Sequence, residues 1–324
     1  MWRGETPLAF CKKEEIMRLE ADVLIPVYRP GNRLEILLEQ LHTQTCPARK
    51  IILMNTEKQY FPAGLEGKYE DVEIHHLRKE EFDHGGTRDR GIRLSKADVV
   101  ICMTQDALPA DAHLIENLLK PFSDPQVWAA YGRQLPAKDC REVERYTRSF
   151  NYPEESRIKG AADLGTLGIK TFFCSNVCAA WRRDRYLELG GFEKKTIFNE
   201  DMILAGHLIR KGGLIAYCAD AKVIHSHNYS ALQQFHRNFD LAVSQTMHPE
   251  IFGGIRSESE GIRLVKMSMK HCLQIGKPWL CFQVLSQSAG KYLGYKLGQR
   301  YGQLPRKMIL WCTMNPTFWQ EERR

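Results

Sequence analysis

The stretch Ala97-Asp98-Val99-Val100-Ile101-Cys102-Met103-Thr104-Gln105-Asp106-Ala107 decides the fold. Its first seven residues are an apolar run that reads as a buried strand. Asp106 is released at the carboxyl end of that strand, where open α/β sheets bind ligands. A lone carboxylate there suits a metal ion or a sugar-phosphate rather than a core. A second reading stays open on these residues alone: Asp106 caps the helix near Ala110 to Phe122, or shapes the turn before Pro109.

Upstream of this stretch the chain alternates strand and helix. Ala21 to Val27 reads as a strand ending at Tyr28-Arg29-Pro30-Gly31, and Leu34, Leu37, Leu38 and Leu41 form the i, i+3, i+4, i+7 stripe of a helix. Lys50 to Met54 and Asp71 to Leu77 are further strands, and His84 to Ser95 is helical. Downstream come a helix over 111–122 and a strand over Val127 to Tyr131. This order predicts a mostly parallel sheet flanked by helices. Residues 133–170 are polar and rich in Gly and Pro, which predicts a long irregular lid or substrate loop. Order then resumes with a strand from Thr171 to Trp181, whose Trp181 is expected in the core. Helices over Arg183 to Leu189 and Glu200 to Lys211 follow. A strand over Leu214 to Cys218 leads through Val223-Ile224 into His225-Ser226-His227, and from Ala231 to about Cys312 the pattern is helical.

With 324 residues, 43% hydrophobic and 26% charged, the chain is long enough for a large core and has the composition of a soluble globular protein. Met1-Trp2-Arg3-Gly4-Glu5 has no apolar leader, and no window of 18 uncharged apolar residues occurs, so neither a signal peptide nor a spanning helix is expected. The ten cysteines lack paired CxxC spacing. Cys102, Cys174, Cys178 and Cys218 read as small core residues in a reducing cytoplasm, which excludes zinc-ribbon and disulfide-framework classes. Net charge is +7. Arg256 to Arg324 is rich in Lys and Arg and carries Trp279, Trp311 and Trp319, a combination that suits a membrane surface or an ordinary basic helical region packed through its aromatics.

Four further constellations carry chemistry. Pro26-Val27-Tyr28-Arg29 closes the first strand, where Tyr28 and backbone groups suit a nucleobase and Arg29 either a phosphate or solvent. Asp83-His84-Gly85-Gly86-Thr87-Arg88 opens a helix at two glycines, so a ligand can meet free N–H groups there. Asp83 serves a base or ribose or else the N-cap, and Arg88 a phosphate or a structural carboxylate. Asn199-Glu200-Asp201 sets two acids at a helix start, about 100° apart, so they do not share one role. One suits a general base in a cleft, and both suit the helix dipole. His225-Ser226-His227 has the spacing of a metal-ligand pair on one side of a strand, and equally of core histidines.

Taken in this order, the constellations resemble the family 2 nucleotide-sugar glycosyltransferases with a GT-A fold, over roughly residues 20 to 250. The resemblance lies in Ile25-Pro-Val-Tyr28, Phe82-Asp-His-Gly-Gly-Thr-Arg88, Thr104-Gln-Asp-Ala107, Gly190-Gly-Phe192 and Asn199-Glu-Asp201. His84 to Arg88, Thr104 to Ala107 and Val223-Ile-His-Ser-His-Asn-Tyr-Ser230 look like bacterial rhamnosyltransferases in particular. The resemblance implies a GT-A (Rossmann-like) α/β domain over 1–254 and a C-terminal helical extension over 255–324. It implies an inverting transferase that moves L-rhamnose from dTDP-β-L-rhamnose to a hydroxyl of a lipid-linked or oligosaccharide acceptor, working at the inner face of the plasma membrane. Asp201 matches the catalytic base. Pro26, Tyr28, Arg29, Asn55, Asp83, Gly86, Arg88, Gln105 and Asp106 match donor positions, and Asn176, Gly191, Phe192 and Glu200 the sugar and acceptor side. Asp106, with His225 or His227, would hold a divalent Mg2+ or Mn2+. The chain departs from the family where Thr104 replaces the first acid of Asp-x-Asp, and where Asn55 stands in place of an acid that meets the base or ribose. A nucleic-acid partner is not expected, and a homodimer is left open. The rival readings are a UDP-hexose or UDP-N-acetylhexosamine donor, and a non-catalytic sugar-nucleotide or glycan-binding module.

Overall fold

The computed structural model describes residues 19–255 and 258–321. The expectation about Met1 to Glu5, and the two ends of the basic segment at Arg256 and Arg324, lie outside the described residues. The strands are β1 Ala21–Tyr28, β2 Lys50–Thr56, β3 Val72–Leu77, β4 Val99–Met103, β5 Leu108–Pro109, β6 Val127–Leu135, β7 Arg157–Lys159, β8 Cys178–Arg182 and β9 Leu214–Ile224. They form one sheet in the order β3-β2-β1-β4-β8-β6-β9-β5, with β7 against β9. Pairings β1/β2, β1/β4, β2/β3 and β6/β9 are parallel, whereas β8, β5 and β7 run against their neighbours. The sheet is therefore mixed and mostly parallel, as the β/α alternation predicts.

The main helices are α1 Arg33–His42, α2 His84–Leu94, α3 Leu114–Leu119, α4 Glu142–Asn151, α5 Arg183–Glu188, α6 Glu200–Arg210, α7 Ala231–Met247, α8 Glu258–Gln274, α9 Leu280–Gly298, α10 Arg306–Cys312 and α11 Pro316–Glu321. Leu34, Leu37, Leu38 and Leu41 of α1 are buried, and they pack with Val23, Ile25, Val99 and Ile101 on one face of the sheet. Leu24, Ile52, Val100 and Cys102 alternate onto the other face, against α6. Both faces are covered, which is why β1 and β4 read as nearly continuous apolar runs.

Three expectations change. The strand predicted from Thr171 begins only at Cys178. Gly168–Phe172 is a 3-10 turn, and Lys159 Nζ donates to the carbonyls of Phe173 (2.6 Å) and Lys170 (3.0 Å) where a ladder partner would otherwise stand. Residues 133–170 are not an irregular loop. β6 continues to Leu135, α4 occupies Glu142–Asn151 and β7 adds to the sheet. Val143, Tyr146 and Phe150 of α4 stand at i, i+3, i+7 among polar residues, although only Val143 is fully buried, and the Gly- and Pro-rich flanks hid this short stripe. The helix after Asp106 is shorter than 111–122, because Pro121 turns its end into 3-10 geometry. The described cysteines are free thiols, and Cys102, Cys174, Cys178 and Cys218 are buried. Among the described residues no helix is long and apolar enough to cross a membrane.

Candidate active site

Strand direction brings the chemistry together. β1, β2, β4, β6 and β9 run the same way, so Tyr28, Asn55, Asp106 and His225 emerge at one edge. β8 runs oppositely, so Asn176, just before it, comes to the same edge. An open cleft of about 1090 Å³ lies there. Its wall includes Asp106, Asn176, Glu200, Asp201, His225 and His227.

Asp106 does not cap the next helix. Asp111 does the local turn work, accepting from the His113 N–H at 2.9 Å. Asp106 Oδ2 instead lies 3.5 Å from His225 Nε2 and 3.6 Å from His227 Nε2. One ligand atom from each of the three lies within 4.8 Å of the others, a group that can hold one metal ion. Gln134 Oε1 stands 3.0 Å from His225 Nδ1 and orients the ring so that Nε2 faces Asp106. Arg148 also bonds Gln134 Oε1. Burial works to raise the Asp106 carboxyl, but hydrogen bonding and charge from His225, then Thr104 and the charge of His227, outweigh it and hold the group far below the usual carboxylate range. Both histidines of the pair thus reach the one acid.

Asn199 turns the chain into α6 with φ +66°, a left-handed conformation that asparagine tolerates better than most residues. The next two acids then diverge. Glu200 points inward, where Arg88 Nη1 donates to Oε1 at 3.0 Å and Asn176 Nδ2 at 3.4 Å. Trp181 Nε1 donates to Asn176 Oδ1 at 3.0 Å, so the buried Trp181 fixes the amide that holds Glu200. Asp201 faces the cleft and accepts from the Asn176 N–H (3.1 Å) and the Met202 N–H (2.7 Å). Burial, then the Glu200 charge, push the Asp201 carboxyl up to about 7, whereas Arg88 and histidine charge keep Glu200 ionised despite its burial. The pair thus presents one acid whose proton affinity is lowered and one that exchanges its proton near neutrality.

Of the remaining predicted donor residues only Arg88 stands in the cleft wall; the others sit beside it. Gln105 grips β1: its Oε1 accepts from the Tyr28 N–H and its Nε2 donates to the Tyr28 carbonyl, both at 2.9 Å. Pro26, next to it, is half-buried. Arg29 lies 4.0 Å over the Tyr60 ring and donates to its hydroxyl at 2.6 Å. Asn55 Nδ2 meets His76 Nδ1 at 2.9 Å, while its buried Oδ1 has no partner among the described residues. Asp83 is the N-cap of α2, accepting from Gly86 (2.6 Å) and Lys195 (3.1 Å) N–H groups. Gly86 admits that cap, and a Cβ on Gly85 would stand 1.8 Å from the Glu193 carbonyl. Arg88 is buried and bound to Glu200, so of its two readings the structural carboxylate is the one observed.

On the sugar and acceptor side, Asn176 and Glu200 line the cleft, but Gly191 and Phe192 do not. Gly191 has φ +88°, and a Cβ there would meet Asp89 Oδ1 at 2.3 Å. Phe192 is buried against Trp181 and Tyr186. Sequence reading missed the far wall of the cleft, which carries Gln134, Arg148, Lys159, Arg237 and Lys291. Arg237 stacks on Phe198 at 4.7 Å. Burial brings the Lys159 ammonium down to about 7. No local motif marks these residues, because β6, α4, β7, α7 and α9 supply them from distant parts of the chain.

Residues 22–190 match the family described as glycosyl transferase family 2. The chain is 38% identical to the O-antigen chain rhamnosyltransferase RfbN of Salmonella typhimurium, over 93% of this chain and 96% of that protein. It is 36% identical to the O-antigen chain rhamnosyltransferase WbaN of Salmonella anatum, over 92% of this chain and 95% of that protein. The fold is also similar to that of the mannosyltransferase PcManGT from Pyrobaculum calidifontis, solved with GDP-Man and Mn2+. There the TM-score is 0.54 at 16% identity, covering 93% of this chain and 85% of that one. A GT-A sheet, an acid-and-histidine cluster at its ligand edge and relatives of this identity over nearly the whole length lead to one assignment: the chain belongs to glycosyl transferase family 2, as a glycosyltransferase of the bacterial rhamnosyltransferase type.

Proposed function

We propose that this glycosyltransferase moves L-rhamnose from dTDP-β-L-rhamnose, with inversion, to a hydroxyl of a lipid-linked glycan during O-antigen synthesis. One observation carries the reading. Asp201, with a proton affinity near neutrality, and the Asp106–His225–His227 group line the same cleft. Relatives named as O-antigen chain rhamnosyltransferases supply the sugar and the pathway class.

Asp201 serves as the general base. Its two backbone hydrogen bonds fix the carboxylate, leaving its second set of lone pairs for the acceptor hydroxyl. As the proton passes to Asp201, the acceptor oxygen attacks the anomeric carbon and the bond from that carbon to the diphosphate oxygen breaks. The electron pair leaves with the nucleoside diphosphate, and a β-linked donor yields an α-L-rhamnoside. Asp106, His225 and His227 are the residues that would hold a divalent ion, which when bound supplies positive charge against the diphosphate. One carboxylate with two imidazoles suits Mn2+ better than Mg2+, which prefers an all-oxygen shell. Arg237 and Lys291 add charge on the same wall. We take residues 1–254 as the GT-A nucleotide-sugar glycosyltransferase domain and 255–324 as a helical basic and aromatic region for membrane-surface or oligomer contact, with the protein peripheral at the inner face of the plasma membrane.

A nucleotide-release screen over dTDP-rhamnose, UDP-hexoses and UDP-N-acetylhexosamines tests this. Turnover is expected with dTDP-rhamnose and a lipid-linked oligosaccharide acceptor. Turnover confined to a UDP-sugar replaces the donor, and tight nucleotide binding without any turnover replaces the enzyme by a binding module.

A further inference from the structure

The helix α9 is inside out. Val284 is buried against α8, but the side that meets α7 is made of glycines at i, i+4, i+8. A Cβ on Gly290, Gly294 or Gly298 would stand 2.3, 2.1 or 2.4 Å from the carbonyls of Ala231, Phe235 and Phe239. α9 is thereby pressed against the backbone of α7, and Gln287 and Tyr295 add hydrogen bonds to Tyr229 and Gln245 on that side. Its outer face carries the large apolar groups instead. At 100° per residue, Trp279, Phe282, Leu285, Ala289, Tyr292 and Leu293 fall on one stripe. Trp279 is 67% exposed, Phe282 77% and Tyr292 60%. A water-facing helix ordinarily shows the reverse pattern.

The charge that the C-terminal helices themselves carry has one sign, although Glu142 of α4 pairs with Lys277 at 3.7 Å. From Gly261 to Gln320 the sequence has nine Lys and Arg residues and no Asp or Glu, which exceeds the chain's whole net charge of +7. Lys277 and Arg300 are exposed at the two ends of the stripe. A second copy of the same face would bring like charges together across an isologous contact. An anionic bilayer offers the opposite charge, with an apolar interior for Trp, Phe and Leu. α9 also turns Lys291 into the cleft wall, so the stripe and the candidate active site are the two sides of one helix.

We propose that the Trp279–Leu293 face of α9, flanked by Lys277 and Arg300, docks this protein on an anionic lipid surface and sets the cleft beside it. The proposal extends the lipid-linked acceptor reading, but the vesicle test needs neither donor nor acceptor, so the two fail separately.

Co-sedimentation with vesicles of phosphatidylcholine containing about one-third phosphatidylglycerol is the direct measurement. The wild-type chain is expected to pellet with these vesicles, to pellet poorly with pure phosphatidylcholine, and to be released by raised salt. The triple substitution Trp279→Ser, Phe282→Ser, Leu285→Ser should lower the partition about tenfold or more, with thermal melting and dTDP binding unchanged. Lys277→Gln with Arg300→Gln, which gives up only the half-exposed 3.7 Å Lys277–Glu142 ion pair, should lower it about threefold and remove part of the salt dependence, with thermal melting close to wild type. A wild-type protein that stays in the supernatant overturns the proposal, as does either variant set binding like wild type. So does a dimer in sedimentation velocity that the triple substitution abolishes, since a second copy would then own the face.

Discussion

Arg88 Nη1 meets Glu200 Oε1 at 3.0 Å within the cleft wall, 112 positions apart in sequence, and this pairing gives the two acids of α6 different roles. Glu200 is compensated and stays ionised. Asp201, one residue on, is left with burial and a neighbouring negative charge, and so holds its proton far more tightly than an ordinary aspartate.

The first prediction concerns the proposed base. Asp201→Asn keeps the shape of the side chain but cannot take a proton. Transfer should fall about 10³-fold, with dTDP affinity by calorimetry within about threefold of wild type. Undiminished transfer in that variant would falsify the assignment.

The second is a pH profile. A base works deprotonated, and the Asp201 carboxyl titrates at about 7. Transfer at saturating metal should therefore rise as pH increases through about 7 and be lost below it. Glu200→Gln removes the negative charge that helps raise Asp201 and leaves Arg88 beside it, so the limb should move to lower pH. It should also lower stability by about 3–5 kcal/mol, because a buried guanidinium loses its partner. A limb that stays in place or moves upward counts against the coupling.

The third addresses the metal group. Chelation should abolish transfer and Mn2+ should restore it. His225→Ala and His227→Ala should each raise the Mn2+ concentration needed for half-maximal rate. Gln134→Ala, which frees His225 Nδ1, should raise it about 10–100-fold without removing a ligand. Full activity after exhaustive chelation would exclude a role for the ion.

The fourth is a stability test of the α7–α9 seam. Gly294→Ala puts a methyl group 2.1 Å from the Phe235 carbonyl, and the helices must part. The expected loss is about 1–3 kcal/mol, read from the denaturation midpoint. Gly302→Ala meets nothing within 4 Å and should be close to neutral, which makes it the control. Equal midpoints for the two variants would mean that the seam is not tightly packed.

The two-sided burial of β1, β2 and β4, the stripe of α1 and the position of Asp106 at a strand end were all written in local periodicity. They follow from the alternation of side chains along a strand and the 3.6-residue turn of a helix, which any folded context must respect. The family motifs were legible for the same reason, being short and contiguous. The strand predicted over Thr171 to Trp181 failed at its first half because an apolar run fits a buried turn as well as a ladder. The outcome there was fixed by Lys159, whose ammonium takes the Lys170 and Phe173 carbonyls.

By itself, then, the sequence determined the sheet and which residues reach its ligand edge. Only the tertiary structure decided which of them face the cleft. It sent Arg88 to Glu200, kept Phe192 in the core, joined both histidines to Asp106, and raised a far wall from β6, α4, β7, α7 and α9. The physical reason is distance along the chain. Charge pairing, desolvation and orientation act over a few ångströms of space, and none of them leaves a signature in spacing when the partners are a hundred residues apart.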